Sequence, residues 1–187
     1  MAEIAEAIVE EWLNRQGYFT IRDKRDGNRE LDILAVKWEK DKPTCWHYEV
    51  QVSSKPISYI AKWPREDQRK YGVPASSARK KSPELIRKHV DGWVKKKFRA
   101  PEIHKLLESL APGVWNEALV HGRVRHQEEL DLIEKHGVKL VPFTEVLQDL
   151  SKDERKRSGA AGSELTELLR FVKFGQSQPL DISHQNK

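Results

Sequence analysis

RELDILAV (residues 29–36) and WHYEVQV (residues 46–52) decide the fold. In both, β-branched and aromatic residues alternate with polar ones, the pattern of a strand. Side chains on a strand repeat with period 2. Trp46, Tyr48, Val50 and Val52 therefore share one face of the second stretch, and His47, Glu49 and Gln51 the other. In the first, Leu31, Ile33 and Ala35 face one way, and Asp32, Leu34 and Val36 the other. Asp32 and Glu49 are carboxylates inside otherwise apolar strands. Burying a carboxylate is costly unless it is paired or holds a metal. At strand ends the two acids would simply be solvated; together, at this spacing, they suggest a hard-metal site.

An Asp in an apolar strand, followed ten to twenty residues later by a strand reading E-x-K, is the signature of the PD-(D/E)XK nuclease superfamily. Asp32, Glu49, Val50 and Gln51 resemble that motif, with Gln51 where the usual Lys stands. ELDILA (residues 30–35) is similar to the equivalent strand of archaeal Holliday-junction resolvases and Mrr-like restriction nucleases. The resemblance implies a restriction-endonuclease-like α/β fold, a mixed sheet flanked by helices, with core order α-β-β-β-α-β. An added α-β-α and a C-terminal helix would follow. It implies Mg²⁺ or Mn²⁺ on Asp32, Glu49 and the Val50 carbonyl, with Gln51 orienting water in place of the Lys. It also implies metal-dependent cleavage of DNA. Some superfamily members carry Gln at the Lys position and still cleave. A non-catalytic nucleic-acid-binding module on the same fold is the alternative, and an ordinary α/β protein with surface acids is a third reading.

Outward from these strands, residues 2–16 predict a helix closed by Gly17 as its C′ glycine. Ile4, Ala5, Ile8, Val9, Trp12 and Leu13 cover one half of its wheel. Glu6 lies at the edge of that half, the acid best placed to reach inward, although helix acids are commonly solvated surface. The superfamily often carries a Glu on its first helix beside the metal, and the resemblance assigns that place to Glu6. Residues 18–22 predict a first strand, and Asp26-Gly27 a turn into RELDILAV.

Residues 53–81 show no periodicity and carry Pro56, Pro64 and Pro74, which predicts a long loop with a short helix near 65–70. Ser82, Pro83 and Glu84 make a helix start, with an N-cap, a proline at N1 and an acid in the first turn. That helix runs to about Phe98, with Leu85, Ile86, His89, Val90, Trp93 and Val94 on one face. Another short helix starts at Pro101. Between residues 62 and 99 stand thirteen Lys and Arg against four acids. Such a segment suits a polyphosphate partner, since each cation set on a phosphate releases a counterion. Lys62, Arg65, Arg69, Lys70, Arg79, Lys80, Lys81, Lys95, Lys96, Lys97 and Arg99 are the expected DNA contacts, with Trp63 and Tyr71 available to stack on unpaired bases. The bland reading is a solvated basic face with Trp63 packed inward.

Residues 116–121 and 138–141 predict two more strands, separated by a helix over 125–136 and followed by one over 143–150. This makes residues 1–150 one domain of strands and helices on a mixed sheet. His121, His126 and His136 are too scattered to argue for zinc. Residues 151–163 (SKDERKRSGAAGS) read as a linker. Residues 164–174 read as a short amphipathic helix that must dock on this domain, a second copy or a partner, which leaves a homodimer open. Residues 175–187 read as a disordered tail. Within 187 residues, Cys45 is the single cysteine, which excludes an internal disulfide. No apolar run approaches a membrane span, and Glu3, Glu6 and Glu10 argue against a signal peptide. A cytoplasmic protein is the expectation. The net charge of +5 permits a nucleic-acid partner without requiring one.

Overall fold

The computed structural model describes residues 2–26, 29–40 and 42–152. Helix α1 spans Ala2–Arg15. Three strands follow: β1 (Phe19–Asp26), β2 (Arg29–Glu39) and β3 (Lys42–Gln51). Helices α2 (Arg65–Tyr71), α3 (Pro83–Lys97) and α4 (Pro101–Leu110) lead to β4 (Trp115–His121). Helix α5 (Gln127–Lys135), strand β5 (Lys139–Pro142) and helix α6 (Phe143–Lys152) close the described chain. The five strands lie side by side in chain order. β1, β2 and β3 pair antiparallel, and β3, β4 and β5 pair parallel. The fold is thus α/β, a mixed sheet flanked by helices.

Alternation along β3 sets the two layers. Tyr48 and Val50 face α1 and α6, in a core with Ile8, Val9, Leu13, Ile33, Ala35, Ala118, Val120, Val146 and Leu150. On the opposite face Leu119 packs with Ile86, Val90 and Val94 of α3 and with Leu130 and Ile133 of α5. Helix α4 covers Leu34 through Ile103 and Leu107. The expected helix starts hold where the chemistry was explicit. Ser82 Oγ accepts from the Leu85 N–H at 3.3 Å, with Pro83 opening the helix. Gly17 sits at φ 88° after α1, a conformation a Cβ disfavours.

Four expectations change. Ile4, placed on the inner face of α1, is exposed. β1 extends past residue 22 to Asp26, because its second half (Arg22, Asp23, Lys24) is polar edge strand with no buried face to impose alternation. Leu31 packs with Leu34 under α4 and not with Ile33. Between them lies Asp32, where the β2–β3 ladder has already ended at Ile33–Tyr48 and the facing Asp23 takes a left-handed φ of 54°. Strict alternation fails at that break. Ser151 and Lys152 belong to α6 and not to a linker. The rest of that linker, the 164–174 helix and the tail lie outside the described residues.

The 53–81 segment is pinned rather than loose. Ile57 bridges Val124, donating to the Arg123 carbonyl and accepting from the Arg125 N–H. Further on, the fully buried Glu129 of α5 accepts from the N–H groups of Ile60 (2.6 Å) and Ala61 (2.9 Å). Lys81 turns its ammonium inward to the Ala61 carbonyl at 2.5 Å, against the rings of Tyr59 and Trp63. Removing one partner of a buried charged network leaves the other charge and the backbone donors stranded. Glu129→Ala should therefore cost roughly 3–5 kcal/mol in urea unfolding, and should open residues 53–81 to limited proteolysis. Glu129→Gln, which retains one acceptor, should cost less.

Candidate functional site

The sheet forks next to the two motif acids. Below Ile33, β2 pairs with β1 alone, while Glu49, Val50 and Gln51 of β3 pair only with β4. Asp32 bridges the gap, its Oδ2 accepting from the Val50 N–H at 2.7 Å. Its side chain thereby replaces the ladder bond that β2 no longer supplies. The Gln51 carbonyl bonds the Gly122 N–H on the β4 side at 3.0 Å. Backbone groups alternate sides along a strand, so the Val50 carbonyl points into the fork, toward Asp32. Asp32 is thus tied to the backbone of Val50, the residue after Glu49. Gln51, half-buried, shares the face of Glu49 one strand repeat on.

Glu49 is fully buried. Its Oε2 lies 2.6 Å from Lys97 Nζ, and its Oε1 lies 3.4 Å from His47 Nε2. Lys97 thus pairs with one carboxylate oxygen, while the other faces an imidazole nitrogen. Lys97 was expected on the outer basic face. Instead it extends the inward stripe of α3, following Ile86, Val90 and Val94 at helical spacing. That continuation of an apolar stripe into a lysine is the signal that sequence reading passed over. Burial works against the Lys97 charge, but Glu49, with Asp32 and Glu30 further off, outweighs it and raises the pKa.

Asp32 is pushed up to about 7, first by burial and then by the Glu49 charge, against the pull of the Val50 bond and Lys97. Glu6 sits nearly buried at the edge of the α1 core, as its wheel position predicted. Burial and a hydrogen bond shared with Asp23 push it up to about 7. Its charge is felt at Asp32, so α1 brings it to the rim of the fork. Among the described residues no group of three or more His, Cys, Asp and Glu stands close enough to hold a metal ion. Two carboxylates, a carbonyl and a buried ammonium are what the fork contains.

The basic segment divides. Lys62, Arg65, Arg69, Lys70, Arg79, Lys80, Lys95 and Lys96 are exposed. Lys81 is buried against Tyr59, and Lys97 serves Glu49, so neither is a surface contact. Arg99 is tied to both Glu117 oxygens (2.9 and 3.2 Å) and to the His136 carbonyl. Trp63 is buried, its indole N–H donating to the Ser77 carbonyl, so its ring is not offered to a base. Tyr71 is half-buried against Trp63, with Lys70 and Arg79 over its ring. Sequence pattern did not separate these because the fold sets their partners: Glu49 of β3 for Lys97, Glu117 of β4 for Arg99, and the Ala61 and Ser77 carbonyls for Lys81 and Trp63.

No protein-family profile and no curated protein matches the chain. Among solved structures it is similar to a crystal structure described as a protein of unknown function, AF1548, at 13% identity and TM-score 0.47. The match covers 94% of this chain and all of the other. A likeness of that degree bears on nothing beyond general shape. No helix among the described residues is long and apolar enough to cross a membrane.

The folded protein holds the Asp32 proton to about pH 7, against about 3.8 for an ordinary Asp. The neutral acid is the favoured form, so Asp32 costs stability that grows as pH rises between those values and is complete above them. At about 1.4 kcal/mol per pH unit, the rise from 3.8 to about 7 costs roughly 4 kcal/mol. Asp32→Asn keeps an acceptor for the Val50 N–H and removes the charge. It should raise the melting temperature at pH 8 by several degrees and leave it nearly unchanged at pH 4.

Proposed function

We propose that the protein is a metal-dependent DNA endonuclease of the PD-(D/E)XK kind. The observation that supports this best is the fork itself: two carboxylates and a strand carbonyl converge, at a cost in stability, where the motif resemblance puts a metal. Carboxylates with strongly raised pKa values concentrate at functional sites, although structural acids such as Glu129 are raised as far. The observed element order is compatible with the restriction-endonuclease-like core. The donor set fits Mg²⁺ or Mn²⁺, which need few protein carboxylates and keep several waters. Asp32, Glu49 and the Val50 carbonyl would hold the ion, which would share the Glu49 carboxylate with Lys97. A bound ion supplies an activated water and neutralises charge at the phosphorus.

The remaining roles fall to side chains of this chain. Lys97 brings beside Glu49 the positive charge that Gln51 lacks, from a helix instead of the strand. Placed at the fork, its ammonium would steady a phosphoryl oxygen as charge builds there. Gln51 would orient a water by hydrogen bonds, and Glu6 would accept a proton at the rim. Lys62, Arg65, Arg69, Lys70, Lys95 and Lys96 would hold DNA phosphates without reading sequence. One observation favours a non-catalytic DNA-binding module instead: Lys97 already neutralises Glu49 at 2.6 Å, as a replacement for a lost metal would.

Supercoiled plasmid with Mg²⁺ or Mn²⁺ separates the two readings. The nuclease should nick it, Asp32→Ala and Glu49→Ala should abolish nicking, and Lys97→Met should cut the rate by about 10²–10³. No nicking, together with a melting temperature that Mn²⁺ leaves unchanged at pH 8, would leave the binding module. Metal affinity should fall about tenfold for each pH unit below about 7, because the Asp32 proton must leave before the ion binds. Neutralising Lys95 and Lys96 should lower the slope of log K against log salt by up to about 1.8.

A further inference from the structure

Four large apolar side chains left in solvent, Phe19, Ile21, Trp38 and Leu110, belong to one layer of the fold. Residues paired across adjacent strands point to the same side. Phe19 lies opposite Val36 and Ile21 opposite Leu34, so both share the sheet face that α4 covers at Leu34. Trp38 follows Leu34 and Val36 on that face at period 2. Away from Leu34 the cover stops: Phe19 is 77% exposed, Trp38 59% and Ile21 44%, with Val36 half-buried among them. Leu110 continues the inward stripe of Ile103 and Leu107 on α4, yet is 39% exposed. β1 is the edge strand, so no further strand of the described residues shields this face. Single exposed hydrophobics are ordinary, whereas a contiguous apolar set marks a contact surface.

We propose that residues 164–174 of the same chain dock on this face through Leu165, Leu168, Leu169 and Val172. Their i, i+3, i+4, i+7 spacing puts them on one stripe, and a segment this short does not hold a helix alone in water. The fold delivers the chain to the right place. Asp149, in the last turn of α6, accepts from the Trp12 indole N–H at 3.3 Å. Trp12 stands in the last turn of α1, and residues 16–18 alone separate that helix from Phe19. Helix α6 therefore ends, at Lys152, beside the Phe19 end of the edge strand. Residues 153–164 then reach up to about 40 Å. Elements packed on opposite faces of a sheet, each at ~10 Å, are roughly 20 Å apart, so the segment can pass around β1 to the open face. A tether this short also holds the segment at about millimolar concentration. The chain's own face is then filled before that of a second copy at micromolar protein. Docking asks nothing of Asp32 or Glu49, so it is independent of the nuclease reading.

The test uses the full chain at micromolar concentration with a short bismaleimide. Cys45 is buried and stays out of the reaction. One variant carries Ile21→Cys with Leu168→Cys. A control carries Glu128→Cys with Leu168→Cys, its first thiol on exposed α5 across the sheet from β1. All three positions lie outside the core, so the domain should fold in both. The Ile21 pair should link within one chain about ten times faster than the control, read as a monomer on a denaturing gel and as joined peptides by mass spectrometry. Adding Leu165→Asp and Leu169→Asp, which places charges on the stripe, should slow that link about tenfold, to the control rate. The same two substitutions should make Trp38 more accessible to acrylamide, read as the quenching lost when Trp38→Phe is added. Equal rates for the two pairs, or a link that the Asp substitutions leave unchanged, overturns the proposal. So does a link found only between chains, which would give the face to a second copy.

Discussion

Strand β3 pairs with β4 as far as Gln51 but with β2 only as far as Tyr48, and just past that fork it carries a fully buried carboxylate. Glu49 has to be compensated there, and the compensation reaches across the domain. Lys97 arrives from the last turn of α3 to meet it, which fixes how far α3 must run and which way its C-terminus points. Phe98 then packs on His47, and Arg99 ties the following chain to Glu117 of β4. A buried ion pair of this kind adds little net stability compared with apolar packing. Its retention at the place where the sheet forks fits what the carboxylate does better than what it holds together.

The same logic appears twice more. At Asp32 the backbone N–H of Val50 stabilises the ionised acid, yet burial and the Glu49 charge win, and the proton stays on to about neutral pH. At Glu129 two backbone N–H groups bond the carboxylate, burial outweighs them and pushes it up to about 7, and that acid anchors the loop between β3 and α3. Glu129 bonds the backbone of the loop it anchors, whereas Glu49 meets a lysine and a histidine beside the fork.

The basic segment shows why charge counting overstates an interface. Lys81 and Lys97 are long enough to bury their stems and aim their ammonium groups inward, and Arg99 spends its fork on Glu117. What is left outward is a smaller set, spread over α2, the turn before α3 and the last turn of that helix. Snorkelling in reverse, a charged head turned to a buried partner, cannot be distinguished from solvent exposure by composition.

Much of the architecture was legible in the chain. Period-2 alternation in residues 46–52, the Ser-Pro-Glu start of α3 and the glycine after α1 each express a local rule that tertiary packing had no reason to override. That Asp32 and Glu49 need compensation was legible too, because a carboxylate in an apolar strand is costly unless it shares a counter-charge or an ion. What tertiary structure alone decided lies where local rules are silent. The polar half of β1 pairs at an edge, so no buried face marks it. Leu31 leaves the face of Ile33 because the sheet splits beside it. Lys97 reads as one of three surface lysines until Glu49 is placed opposite, and Glu129 reads as surface acid until the Ile60 and Ala61 N–H groups arrive. Each depends on a partner distant in sequence, and a charge shows which way it faces only when its counter-charge is in place.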